Sequence, residues 1–340
     1  AKPARKPISK VWRYLIILVL LGAAVNVLLP RLADLRGAVK TLEEMTWWIV
    51  GLAIIAQTIS YLGYGFCISA ILANNGKHLN VFRGALIALA STSIGLVAGG
   101  WVAAAAAAYK FTRTEDVDRS TASMAGILPS LLVNATIILI SIIGIIFLLF
   151  VHQIDHAQLL QYSIFIGLLA LVSFGGMAAL AHPKFSYKFV NWALWTVARI
   201  RKKPYDPANT RSMLDSFARA WRALRHGNWI RPMLGAVILT GFDMLTLYFV
   251  FLAAGTPVKA GVLFAGYGLP LLLSKMAFFF PGGIGIIEAS MTALFTSLGI
   301  ASGTSVVAVI GYRLLSFWVP ILLGFAATAL LSRGSRSTLD

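Results

Sequence analysis

Long apolar runs separated by short polar stretches dominate this chain, and their continuity predicts helices. The runs Val11–Leu29, Thr46–Leu72, Thr121–Val151, Gln161–Ala181, Pro232–Ala254 and Ser305–Leu331 match the length that about 30 Å of hydrocarbon demands of a helix. They are continuously apolar rather than alternating, which argues against a barrel. The expected fold class is an all-α polytopic membrane protein with about six full spans.

Two further regions, Gly84–Phe111 and Ala260–Leu298, resist simple counting. Basic residues cluster at the N-terminus (Lys2, Arg5, Lys6, Lys10, Arg13), from Lys184 to Arg231, and at the C-terminus (Arg333, Arg336). Lys and Arg concentrate on the cytoplasmic side of membrane proteins, so all three clusters and both termini are expected there. That parity holds only if Gly84–Phe111 enters and leaves on one side, and the same applies to Ala260–Leu298. Each is predicted to be a re-entrant or broken hairpin, or a pair of short spans.

Sliding the chain along itself until Ala98 meets Pro281 aligns the two halves without gaps. Ala98–Gly100 ("AGG") then falls on Pro281–Gly283 ("PGG"), Ser91 on Ser274, and hairpin on hairpin. The first hairpin is expected to enter from the cytoplasm and the second from outside. That is an inverted repeat, an architecture used for alternating access. The expected division is 1–45, an N-terminal span and interfacial helix; 46–151, the first repeat half; 152–230, a linking span and a cytoplasmic amphipathic segment; and 231–340, the second half with the Pro-Gly-Gly hairpin. The run from Trp12 to Leu29 is longer than a usual signal-peptide core and no small-x-small site follows it, so a retained first span is expected.

Composition agrees with a membrane location. Of 340 residues, 59% are hydrophobic and 12% charged, against about a quarter charged in soluble domains. Mean hydropathy is +0.82. The net charge of +17 is concentrated in the clusters named above, which fits anionic lipid nearby rather than nucleic acid. The single cysteine, Cys67, excludes an intramolecular disulfide and a Cys-rich metal site.

Candidate chemistry is sparse. Asp243, Lys275, Glu288 and Arg313 are the ionisable groups that stand out inside apolar segments, all in the second half. Their counterparts in the aligned first half, Ser60, Thr92, Ala105 and Ser130, are neutral. A charge at mid-membrane depth costs about 2.5–3.5 kcal/mol even on the lenient insertion scale, so each needs a partner or water. The four therefore serve either as structural ion pairs or as the lining of a polar cavity. In the second case Lys275 and Arg313 would hold a phosphate. Asp243 and Glu288 would pair with them when the site is empty, balance charge, or meet a substrate amine. The break at Pro281, Gly282 and Gly283 frees backbone N–H groups and starts a half-helix whose positive end favours an anion. Irregular backbone at such depth is tolerated only against protein or a wet cavity.

Other patterns point nowhere specific. His78, His152, His156, His182 and His226 lie near span ends and loops and read as interface residues rather than metal ligands. Asp116 and Asp118 sit beside Arg113 and Arg119 as a solvated charge cluster. No Walker loop, nucleophile elbow or Cys/His metal cluster is evident. No enzyme activity and no cofactor are expected.

The stretch "PGGIGIIEASMTALFTSLGI" followed by "GYRLLSFWVPILLGF" resembles the lysylphosphatidylglycerol synthase transmembrane family, the flippase-type membrane region of multiple peptide resistance factors and their stand-alone relatives. The matching positions are Pro281, Gly282, Gly283, Gly285, Glu288, Tyr312 and Arg313, and the Asp243 span is also similar. The resemblance covers about residues 230–330. It departs in the first half, where a polar Pro-Gly-Glu-type motif is replaced by "LVAGGWVAAAAAAYKF".

The resemblance implies translocation of a phospholipid or other polar-headed lipid between leaflets of the bacterial inner membrane. It does not imply synthesis, since this stretch contains no soluble aminoacyl transferase domain. Expected partners are membrane lipids, anionic or aminoacylated phospholipid, with a homo-oligomer or an enzyme partner left open. The alternative is a non-transporting membrane partner that anchors or regulates a lipid-modifying enzyme or glycosyltransferase through the Arg/Trp segment around Ser212–Trp229.

Overall fold

The computed structural model describes residues 35–98, 101–113, 115, 117–150, 229–276 and 283–334, with single positions between 160 and 171. Every regular element among them is helical. In chain order these are α1 (Leu35–Glu43), α2 (Trp47–Ala73), α3 (Val81–Ala98), α4 (Trp101–Arg113), α5 (Arg119–Phe150), α6 (Ile230–Ala253), α7 (Ala260–Met276), α8 (Ile286–Ser297) and α9 (Ser302–Arg313). A π-helical turn, Leu314–Trp318, then leads directly into α10 (Val319–Gly334).

Among the described residues, four helical stretches are long and apolar enough to cross a membrane: Trp47–Ala73, Thr121–Phe150, Ile230–Ala253 and Ser302–Ser332. The shorter apolar helices Val81–Leu96, Ala260–Ser274 and Ile286–Ser297 occupy the two regions that resisted counting. The protein is a helical membrane protein. The expected span Val11–Leu29, most of Gln161–Ala181, the amphipathic segment around Ser212–Trp229 up to its last residue, and Pro281 and Gly282 lie outside the described residues.

The offset that carries Ala98 onto Pro281 also carries Trp47, the first residue of α2, onto Ile230, the first of α6. It likewise carries Arg119, which opens α5, onto Ser302, which opens α9. The equivalent helices α2 and α6 pack antiparallel. Ser60 Oγ donates to Leu239 O at 2.8 Å, and Thr46 N–H donates to Ala253 O at 2.8 Å. A Cβ on Gly235 would lie 2.6 Å from Cys67 N. Glycine lets the two backbones approach closely, as is usual where helices associate in lipid.

The short helices form two hairpins. In the first, Arg83 Nε on α3 donates to Glu115 Oε1, just beyond α4, at 2.7 Å, so the hairpin's two ends lie together. In the second, Phe295 of α8 packs on Gly266 of α7, and Leu294 and Leu298 pack against Ala265 and Leu269. The antiparallel pairings bring Lys77, Arg83, Lys110, Arg113, Arg119 and Arg231 to one end of the bundle. The opposite end carries Lys40, Glu43, Glu44 and Lys259. At that first end Asp118 is built into the fold: its carboxylate accepts the Thr121 N–H at the start of α5, at 3.2 Å.

The largest core gathers Leu247, Val250 and Phe251 of α6 with Tyr267 of α7, Met291 and Phe295 of α8, and Val309 and Tyr312 of α9. This core fixes the second hairpin against α6 and α9, which positions the candidate site.

Candidate functional site

The tip of the second hairpin needs glycine for steric reasons. Gly283 has φ of 65° and Gly285 φ of 84°, backbone that side-chain-bearing residues adopt at a cost. A Cβ on Gly283 would also approach the Ser274 side chain to 2.9 Å. Gly285 sits at the start of α8 and places Glu288 in the first turn. Glu288 Oε2 accepts the Gly285 N–H at 2.7 Å. This is the acidic half of a capping box; glycine has no side chain to supply the other half.

The other carboxylate oxygen, Glu288 Oε1, accepts Arg313 Nε–H at 2.6 Å. The Arg313 side chain is 6% exposed and that of Glu288 25%. The Arg313 guanidinium also lies 4.1 Å from the centroid of the Phe317 ring, a cation–π contact that suits a weakly hydrated planar cation. Arg313 lies near the midpoint of the Ser302–Ser332 stretch. The twelve residues of α9 rise about 18 Å, so the ion pair lies well inside a stretch long enough to cross a bilayer core about 30 Å thick.

Asp243, near the midpoint of α6, is held differently. Its Oδ2 accepts the Tyr267 hydroxyl at 2.8 Å and the Tyr312 hydroxyl at 2.6 Å. The two tyrosine rings meet edge to face, centroids 6.4 Å apart. The carboxylate thus ties α7 and α9 to α6, and Asp243 remains partly exposed. Among the described side chains, Asp243 is held by this tyrosine cage, while Arg313 pairs with Glu288; the Lys275 side chain lies outside the described residues. The cage also leaves Oδ2 little capacity for a substrate amine.

A break in the helical ladder adjoins the pair. Pro320 has no N–H to give to the carbonyl four residues earlier. The Val319 N–H bonds Leu314 O instead, producing the π turn. The Ser316 carbonyl then accepts the Tyr61 hydroxyl of α2 at 3.3 Å. π turns inside long helices occur often at functional sites.

Thus Asp243, Gly283, Glu288, Tyr312 and Arg313 come together. Lys275 lies on α7 within two residues of its described end. Two counterpart hydroxyls of the first half are spent locally, Thr92 Oγ1 donating to Ala88 O at 2.9 Å and Ser130 Oγ to Ile127 O at 2.7 Å, while Ser60 bonds across to Leu239 O of α6. No group of three or more potential metal-ligating side chains occurs among the described residues.

A family model described as "Lysylphosphatidylglycerol synthase TM region" matches residues 13–324. The chain belongs to this family. Similar proteins include a UPF0104 membrane protein of Pyrococcus horikoshii, 26% identical over 333 residues, covering 91% of this chain and 94% of that protein. A UPF0104 membrane protein of Methanothermobacter thermautotrophicus is 25% identical over 144 residues, 41% of this chain and 42% of that protein.

Within this member of the lysylphosphatidylglycerol synthase transmembrane family, sequence reading missed Tyr61, Tyr267 and Phe317. Phe317 alone left a usable signal, lying four residues from Arg313 on one helical face. The other two reach the site from α2 and α7, a long-range proximity that periodicity cannot encode.

Proposed function

We propose that this protein moves a polar-headed lipid between the two leaflets of the cytoplasmic membrane, the headgroup passing the tip of the second hairpin while the acyl chains stay in lipid. The observation that carries this reading is the Glu288–Arg313 pair at mid-membrane depth, built on a broken helix rather than on a continuous span. Arg313 offers a planar cation suited to a phosphate, and the start of α8 adds backbone N–H groups. Glu288 occupies both donors when no headgroup is present. Membership in the lysylphosphatidylglycerol synthase transmembrane family supports a lipid substrate.

The antiparallel packing of α2 on α6, equivalent helices in the two aligned halves, supports an inverted repeat with hairpins entering from opposite faces. The basic end of the bundle is then cytoplasmic by the positive-inside rule, as are both termini. The test is translocation of headgroup-labelled anionic phospholipid in proteoliposomes. Arg313→Ala and Glu288→Gln should each slow flipping at least about tenfold, the scale of one lost charge-assisted contact. Parent-like rates in both variants would remove the pair from the transport path.

A further inference from the structure

The two hairpins hold equivalent places in the aligned halves, yet they are fastened differently. In the first, glycine brings backbone onto backbone. A Cβ on Gly84 of α3 would lie 2.5 Å from Gly65 O of α2, and one on Gly126 of α5 would lie 2.6 Å from Ala105 O of α4. Contacts this close need a residue without a Cβ. The offset that aligns the halves carries Gly65 and Gly84 onto Tyr248 and Tyr267, and Ala105 and Gly126 onto Glu288 and Val309. All four second-half positions carry large side chains, which hold α7 off α6 and α8 off α9. The Tyr267–Asp243 and Glu288–Arg313 bonds bridge those separations.

Of the two arms, α7 keeps a backbone contact elsewhere: a Cβ on Gly144 of α5 would lie 2.7 Å from Ala265 Cα. Helix α8 has no comparable anchor among the described residues. The hydroxyls of Ser290, Thr292, Thr296 and Ser297 all donate to carbonyls of α8 itself, so Glu288–Arg313 is its polar tie to a neighbour there. Its other contacts run through apolar side chains such as Met291 and Phe295, the kind that slide when packed helices shear. Glycines in left-handed backbone stand at both ends, Gly283 and Gly285 before α8 and Gly299, with φ of 91°, after it. The counterpart helix α4 is tied at its end instead, where the Arg113 side chain donates to Val117 O and Arg83 to Glu115.

The Arg313 side chain is 6% exposed, so a phosphate reaches its guanidinium only when a covering element gives way. We infer that α8 is the moving wall of a single headgroup path, and that its counterpart α4 is a fixed part of the scaffold. The inference rests on the transport reading above and narrows it to one half of the repeat. An incoming phosphate takes the Arg313 N–H that Glu288 holds. The released α8 tilts about its flanking glycines, and Glu288 returns to Arg313 when the headgroup leaves. The first half has no such exchange to make, because Ala105 and Ser130 stand at the places of Glu288 and Arg313 and Gly126 seats α5 directly on α4. The two hairpins therefore do not take turns, as the repeats of a symmetric alternating-access transporter do.

The experiment uses the full chain carrying Cys67→Ala, with cysteine pairs at equivalent positions of the two halves. Ala108→Cys with Ala125→Cys joins α4 to α5 within one buried cluster, and Met291→Cys with Ala308→Cys joins α8 to α9 within another. Oxidation to the disulfide should leave flipping of headgroup-labelled anionic phospholipid unchanged in the first pair. In the second it should abolish flipping until reductant restores it. Loss of flipping in both oxidised pairs, in neither, or in the first alone overturns the inference and leaves the transport reading intact. Spin labels read the motion itself, on Lys110→Cys with Leu139→Cys and on Ala293→Cys with Leu322→Cys, equivalent pairs at exposed positions. Distances are measured in nanodiscs with and without anionic phospholipid, and the second pair alone should change. That result in a protein that flips no lipid upholds the moving helix and sinks the transport reading. An unchanged second pair, or equal changes in both, overturns the inference.

Discussion

Glu288 and Arg313, 25 residues apart in the chain, meet through a 2.6 Å contact that closes the tip of a broken helix against a continuous one. The same Glu288 carboxylate caps its own helix through the Gly285 N–H, so one side chain serves both the local turn and the long-range contact.

Because the pair is largely buried, its members are not equivalent to delete. Arg313→Ala leaves a carboxylate without its cation, and such losses cost about 3–5 kcal/mol. Glu288→Gln should cost less, since the amide oxygen still accepts. The double variant should be more stable than the sum of the two losses implies. Thermal unfolding in detergent, followed by size-exclusion fluorescence, reads all three.

The tyrosine cage predicts a second set of effects. Tyr267→Phe and Tyr312→Phe each remove one hydrogen bond to a carboxylate, at about 1.5–3 kcal/mol. In an Asp243→Asn background each should cost about 0.5–1.5 kcal/mol, the range for neutral partners. The same unfolding assay, run as a double-mutant cycle, measures the difference.

Close approach of α2 and α6 can be checked at its glycines. A Cβ on Gly63 would lie 2.7 Å from Leu239 N, and one on Gly235 2.6 Å from Cys67 N. Gly63→Ala and Gly235→Ala should each destabilise by about 1–3 kcal/mol through overpacking. Gly51 has nothing within 4 Å of its Cβ position, so Gly51→Ala should be neutral or slightly stabilising. Equal effects at all three positions would contradict the packing described.

Pro320→Ala restores an N–H that can reach Ser316 O and compete with the Tyr61 hydroxyl. The expected outcome is a regularised helix, a higher unfolding temperature and slower lipid flipping. Protection of the amide at position 320 against hydrogen exchange would report the new bond directly.

At the basic end, Arg83 is 55% exposed while bonded to Glu115. A pair this open to solvent contributes about 0–1 kcal/mol, so Arg83→Ala should leave the unfolding temperature almost unchanged. Its interest is geometric, since it marks both ends of the first hairpin on one side of the bundle.

Much of the helical pattern was legible in the chain. Helix α2 was expected to start at Thr46 and begins at Trp47; α6 was expected from Pro232 and begins at Ile230. Long apolar runs leave few ways to err, because a lipid-facing segment must satisfy its own backbone. The four ionisable groups were visible for the same reason, being conspicuous in an apolar context. The π turn was harder to see: Pro320 marks it, yet proline after an apolar start also suits an ordinary first helical turn.

What the sequence by itself determined is the helical class, the constant offset between the two halves, and the short set of residues able to carry charge in the membrane. Hydrophobic length, glycine position and charge are local properties, and they survive being read in one dimension. Only the tertiary structure decided which charges meet. Arg313 chose Glu288, and Asp243 was taken by Tyr267 and Tyr312 from two other helices. Those partners are neutral and sit at unremarkable points in their spans. Their role arises from packing that brings α7 and α9 to one depth beside α6, and no periodicity in the chain records that depth.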